Sequence, residues 1–112
     1  IASSSADRTI KLWQANTGVQ QRTINQQLTK HVTSVQFIGD TDTVISSSGD
    51  GRVRIHRGSN GGVIRSFRQG SAWIHCVAVT ADGKIAASGD ADGTVTIWNA
   101  TNGQVLHELK LD

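Results

Sequence analysis

The 112-residue chain contains no proline, no tyrosine, no methionine and a single cysteine, Cys76. One cysteine cannot close an internal disulfide, and it excludes zinc ribbons, CxxC redox pairs and CxxCH haem attachment. A reducing, cytoplasmic setting is the mild default, with a periplasmic or extracellular one as the alternative. Without methionine, Ile1 is not a translational start, so the expectation is a processed chain or part of a longer one. The residues after Ile1 lack the basic and apolar regions of a signal peptide. No run approaches the ~18 apolar residues of a membrane-spanning helix. Apolar residues make up 37% and fall in short regular runs, which excludes collagen and disorder. Charge of one sign is also missing. The net charge is +2, divided as +2 over residues 1–27, +3 over 28–69 and −3 over 70–112. That polarity falls well short of the basic stripe of a nucleic-acid binder.

What the chain has is repetition, the first thing to look for in such a sequence. The segments IASSSADRTIKLW (1–13), VISSSGDGRVRIH (44–56) and AASGDADGTVTIW (86–98) align at offsets of 43 and 42 residues. Ser3, Ser46 and Ser88 fall together, as do Asp7, Asp50 and Asp92, and Trp13, His56 and Trp98. Gly18, Gly61 and Gly103 each follow five residues later. Val32, Val35 and Phe37 match Ile74, Val77 and Val79 at offset 42.

Within residues 70–111 the apolar period is two. WIHCVAV runs to the turn ADGK, IAASG to ADG, TVTIW to NATNG, and QVLHELKL closes the unit. Asp-Gly and Asn-Gly tolerate the positive φ of tight hairpins, and short turns make neighbouring strands antiparallel. Each repeat therefore reads as a four-stranded meander, strands a to d. Val95 and Ile97 point to one face and Trp98 to the other. A lone sheet cannot bury both, so copies must stack around an axis as a β-propeller. The expected units are 1–27 (strands b, c and d), 28–69 and 70–112, the last two complete.

The pattern Ser-x3-Asp-Gly-x4-Trp, with four strands per repeat, resembles the WD40 repeat family over nearly the whole chain. The family's Trp-Asp pair is degraded here to Trp13-Gln14, His56-Arg57 and Trp98-Asn99. The resemblance implies a buried network of the strand-b Ser, the turn Asp, the strand-c Trp and a His before strand a. Ser3/Asp7/Trp13 and Ser88/Asp92/Trp98 match it, while Ser46/Asp50/His56 carries His for Trp. The network His would fall at Leu28 and Gly70, so no complete set is expected and the aspartates should cap turns. The resemblance also implies a top face that grips peptides beside the start of strand a. Carried over, those positions are Trp73, His75 and Ala91, then His31, Thr33 and Gly49, with Ala6 alone in the first repeat. Trp73 then reads either as an interface anchor or as a loop indole folded onto the neighbouring blade. Cys76, aligned with Ser34, reads as small inner packing.

Chemistry finds little support. The four histidines, His31, His56, His75 and His107, form no HxH or HxxxH pair, so neither metal nor other cofactor is expected. There is no GxSxG elbow and no phosphate loop. Ser and Asp recur in every repeat, as structural residues do, and no enzyme activity is expected. Arg52, Arg54, Arg57, Arg65 and Arg68 have no acid among them. They read as charges blunting exposed strands, or as a patch for an acidic partner or phosphate backbone.

Eleven strands make about 2.7 blades, whereas rings need about 4–8. The expectation is all-β, WD40-like blades of an incomplete propeller that does not stand alone. The ring would be completed by blades of the parent chain or of other copies. The expected role is a non-catalytic scaffold binding a partner protein or peptide through strand-end loops. A regulatory or sensor module of a larger enzyme is one alternative, and nucleic-acid or phosphate binding by the arginines another. A membrane is not expected as a partner.

Overall fold

A computed structural model of the chain describes residues 1–110 and shows eleven strands and no helix. The expected end of the third unit at 112 lies outside the described residues. The first sheet holds β1 (Ala2–Ser4), β2 (Ile10–Trp13) and β3 (Gln20–Ile24). The second holds β4 (Val32–Phe37), β5 (Thr43–Ser48), β6 (Arg52–Arg57) and β7 (Val63–Arg68). The third holds β8 (Ile74–Val79), β9 (Ile85–Asp90), β10 (Thr94–Asn99) and β11 (Val105–Lys110). Each is an antiparallel meander in chain order. Even the irregularities recur. The last pair of each sheet slips register at Leu12/Trp13, Ile55/His56 and Ile97/Trp98, and the first pair of the complete sheets at Val32/Ser34 and Ile74/Cys76. Sheets of three, four and four antiparallel strands agree with the expected all-β, blade-like fold class.

The turns explain the glycines. Gly51 has φ +79, and a Cβ there would lie 2.0 Å from the Gly70 carbonyl oxygen. Gly93 occupies the same place in the third blade, also at φ 79. In the first blade that place is taken by Arg8, with φ 71.

Alternating side chains give every blade two faces, and neighbouring blades close onto each other through opposite ones. Ile45, Val53, Ile55 and Phe67 of the second blade pack against Ile74, Val77, Ala86 and Trp98 of the third. The second blade's other face presents Val32 and Val44 to Ile10, Leu12 and Ile24 of the first. Only the middle blade is covered on both sides, and the propeller is unclosed. Phe67 and Leu109 hold equivalent positions 42 residues apart, yet Phe67 is 6% exposed and Leu109 54%. That difference is the burial a neighbouring blade provides.

Candidate functional site

Several of the recurring polar residues hydrogen-bond within their blades, with corrections to the expected pattern. In the third blade Trp98 is buried and its indole Nε1 donates to Ser88 Oγ at 2.8 Å. Ser88 donates to Gln69 Oε1, and Gln69 Nε2 donates to Asp90 Oδ2 at 3.0 Å. A complete four-membered relay therefore exists, contrary to expectation. Gln69, one residue before the position at which the resemblance would place a histidine, fills the role because an amide, like a neutral imidazole, both accepts and donates. The turn cap is also reassigned. Asp90 Oδ1, not Asp92, accepts the backbone N–H groups of Asp92 and Thr94, both at 3.0 Å. In the first blade Trp13 Nε1 reaches Ser3 Oγ at 3.0 Å, and Asp7 accepts the Thr9 N–H at 3.1 Å.

The second blade solves the problem differently. Its imidazole turns away from Ser46, and His56 Nε2 donates to the Gln26 carbonyl at 2.9 Å. Buried Ser46 Oγ, His56 Nδ1 and Arg54 Nε have no side-chain or backbone partner among the described residues. Burial, the largest influence, pushes His56 below its ordinary pKa of 6.5; the Arg54 charge adds to this and the Gln26 carbonyl opposes it. Arg54 lies inside, 4% exposed, paired with Asp50 at 2.5 Å and bonded to Ser48 Oγ at 3.1 Å. Burial alone would raise the Asp50 carboxyl, but hydrogen bonds from Arg54 and Ser48 and the Arg54 charge hold it below 3.8.

The five arginines are not all presented to solvent on one face. Arg54 is buried, and half-buried Arg52 donates to Ser66 Oγ at 3.1 Å. Pairing of Arg52 with Arg68 and of Ile55 with Arg65 puts exposed Arg68 and Arg65 on opposite faces. Arg57 is exposed at the end of β6. Cys76 is also corrected: it is exposed, not inner packing. Among the described residues no three His, Cys, Asp or Glu come together to hold a metal.

The entries to β4 and β8 bring several of the expected residues together. The Trp73 carbonyl accepts the Ala91 N–H at 2.8 Å, and the His31 carbonyl accepts the Gly49 N–H at 2.9 Å. These equivalent bonds fix the entries to β8 and β4 on the neighbouring turns. The indole of Trp73 then leans across the blade boundary. It covers Gly49, where a Cβ would lie 2.9 Å from the ring, and meets the His31 ring edge-on at 5.1 Å and 82°. It remains 38% exposed. Thr33 points inward instead, donating to the Ile74 carbonyl at 2.6 Å and meeting Ser47 Oγ at 2.8 Å. His75 and Ala91 are exposed beside the platform.

Sequence reasoning missed the adjoining groove. Ala6, Asp7, Arg8, Thr29, Lys30 and His31 line an open space of about 440 Å³ between the first blade's turn and the entry to β4. The available signal was Arg8 standing where the other repeats have glycine.

The WD domain, G-beta repeat model matches residues 1–14, 18–57 and 61–99. The chain is 30% identical over 110 residues to apoptotic protease-activating factor 1 of Rattus norvegicus, covering 96% of this chain and 8% of that protein. It is 31% identical over 111 residues to nuclear distribution protein nudF of Aspergillus niger, covering 97% of this chain and 25% of that one. The crystal structure of the WD40 β-propeller domain of Doa1 superposes with a TM-score of 0.88 at 28% identity, over 98% of this chain and 36% of that one. The chain thus spans a quarter or less of the length of these two curated relatives. Propellers of this kind are typically protein-interaction scaffolds and generally non-catalytic. Matching repeats, blade topology and a common backbone place this chain in the WD40 repeat family.

Proposed function

We propose that the chain is a non-catalytic scaffold that holds a partner protein or peptide on the top face of its second and third blades. Trp73 is the anchor, with His31, His75 and Ala91 around it. Thr33 and Gly49, both expected as contacts, support the platform from beneath.

The observation that carries this reading is the seating of Trp73 on Gly49 against His31, with more than a third of its surface still open. A large side chain already held in place loses little freedom on binding, and such aromatic residues dominate interface energetics. A crosslinking pull-down with wild type, Trp73→Ala and His75→Ala tests it. Capture should fall strongly with Trp73→Ala and less with His75→Ala; unchanged capture by the Trp73 variant refutes the assignment.

A second reading, a regulatory module within a larger protein, is favoured by one observation. The chain matches 8% of a rat protein whose name describes a protease-activating factor. Blades of a parent chain or of other copies would complete the ring in either case.

A further inference from the structure

We propose that the groove beside the Trp73 platform binds one acidic side chain of a peptide, held by Arg8 and Lys30, while an adjacent apolar residue rests on Trp73. The inference rests on the top-face reading and assigns its ligand class.

Arg8 is the first observation. It adopts φ 71 at the place where Gly51 and Gly93 adopt 79. A side chain in that left-handed region is strained, and the two other turns avoid the strain with glycine. Among the described residues the Arg8 guanidinium makes no ion pair or hydrogen bond, and it is exposed at the groove. Its neighbouring acid does not neutralise it by contact. Asp7 Oδ1 is occupied by the Thr9 N–H at 3.1 Å and the Thr9 hydroxyl at 2.5 Å.

The second wall is fixed separately. Thr29 Oγ1 donates to Asp50 Oδ2 at 3.4 Å, tying the loop before β4 to the second blade's turn. That loop puts Lys30 on the groove and His31 at its rim. His31 in turn meets Trp73, so the groove opens directly onto the platform.

Charge selects the ligand. Arg8 and Lys30 against Asp7 leave a net +1 in the groove. This suits a single carboxylate. A nucleic acid gains affinity by neutralising many phosphates at once, whereas the groove's lining supplies two cations, Arg8 and Lys30.

The test is fluorescence anisotropy on the whole chain. The probes are fluorescein-labelled decapeptides alternating Glu with Leu, Gln with Leu, or Lys with Leu, plus a 20-nucleotide single-stranded DNA. The Glu peptide should bind about tenfold tighter than the Gln peptide at low salt, a gap of ~1.4 kcal/mol, and the Lys peptide weakest. Arg8→Gly should abolish that gap while raising Tm, because it relieves the backbone. Lys30→Ala should narrow it. A folded Arg8→Gly protein that still prefers Glu over Gln overturns the proposal, as does equal binding of both peptides by wild type. DNA binding tighter than the Glu peptide and lost in Arg8→Gly also overturns it, in favour of a phosphate site. Trp73→Ala separates the two readings: it should weaken Glu and Gln peptides alike. If it changes neither while Arg8→Gly abolishes the preference, the groove stands and the Trp73 anchor falls.

Discussion

At the scale of the residue, the site depends on a side chain that is missing. Gly49 leaves the space in which Trp73 lies, since a Cβ would come within 2.9 Å of the ring. Gly49→Ala should therefore lift the indole off its seat without removing a polar contact. Acrylamide quenching, corrected by a Trp73→Ala control, should report a more accessible Trp73; unchanged quenching contradicts this packing. Asp50 gives a stability prediction. It neutralises Arg54, which is almost wholly buried, so Asp50→Ala should cost about 3–5 kcal/mol in denaturant unfolding. Its carboxyl lies below 3.8 when folded. That contribution is therefore present above about pH 4 and is lost as acid carries the pH down through the folded value. These details were unevenly legible. Trp98 with Ser88 followed from the family resemblance. Gln69 was hidden because the family pattern has histidine one residue later, at the place of Gly70, although an amide performs the same exchange. Asp90 and Asp92 share one turn, and only the backbone decides which carboxylate faces the amides. Arg54 looked exposed because burial of an arginine depends on a partner four residues away, not on alternation along the strand.

At the scale of the element, the second blade differs from its neighbours through His56. In the third blade an indole joins Ser88 to the strand opposite; in the second the smaller imidazole leaves Ser46 and its own Nδ1 without partners among the described residues. His56→Trp should let the indole donate to Ser46 and raise stability by about 1 kcal/mol, read as a rise in Tm. The same substitution has a pH signature. A histidine below 6.5 in the folded state takes up its proton more readily when unfolded. Stability should then be unaffected well above pH 7 and fall as pH drops through 6.5 toward the folded value. Thermal melts from pH 8 to 5 should show this decline in wild type and a shallower one in His56→Trp. Equal slopes would contradict the buried neutral imidazole. The strands themselves were readable, because period-two alternation and Asp-Gly or Asn-Gly turns both act locally. The Trp73 seat was not, because it joins a loop of one blade to a turn of another.

At the scale of the molecule, one binding geometry is used twice and left unused at both ends. The inner faces are sealed, while Leu109 and half-buried Trp13 sit on faces without a neighbour. Equivalent positions inside the stack, Phe67 and Trp98, are nearly inaccessible. Light scattering after size exclusion should find the 112-residue chain associated beyond its 11.9 kDa mass, and Leu109→Asp should reduce that association. A folded, monodisperse monomer would contradict it. The repeat length and strand count already made this openness legible in the sequence, since both are arithmetic on it. The proposed surface was only half visible: the family resemblance pointed to Trp73 and His31, but their contact across the blade boundary needed the fold. The most direct measurement of the central claim is a phage-displayed random-peptide selection on immobilised wild type and Trp73→Ala, sequenced in parallel. The account predicts that the families enriched on wild type disappear from the variant while its β-sheet circular dichroism is unchanged. Enrichment of the same peptides by both proteins would contradict it.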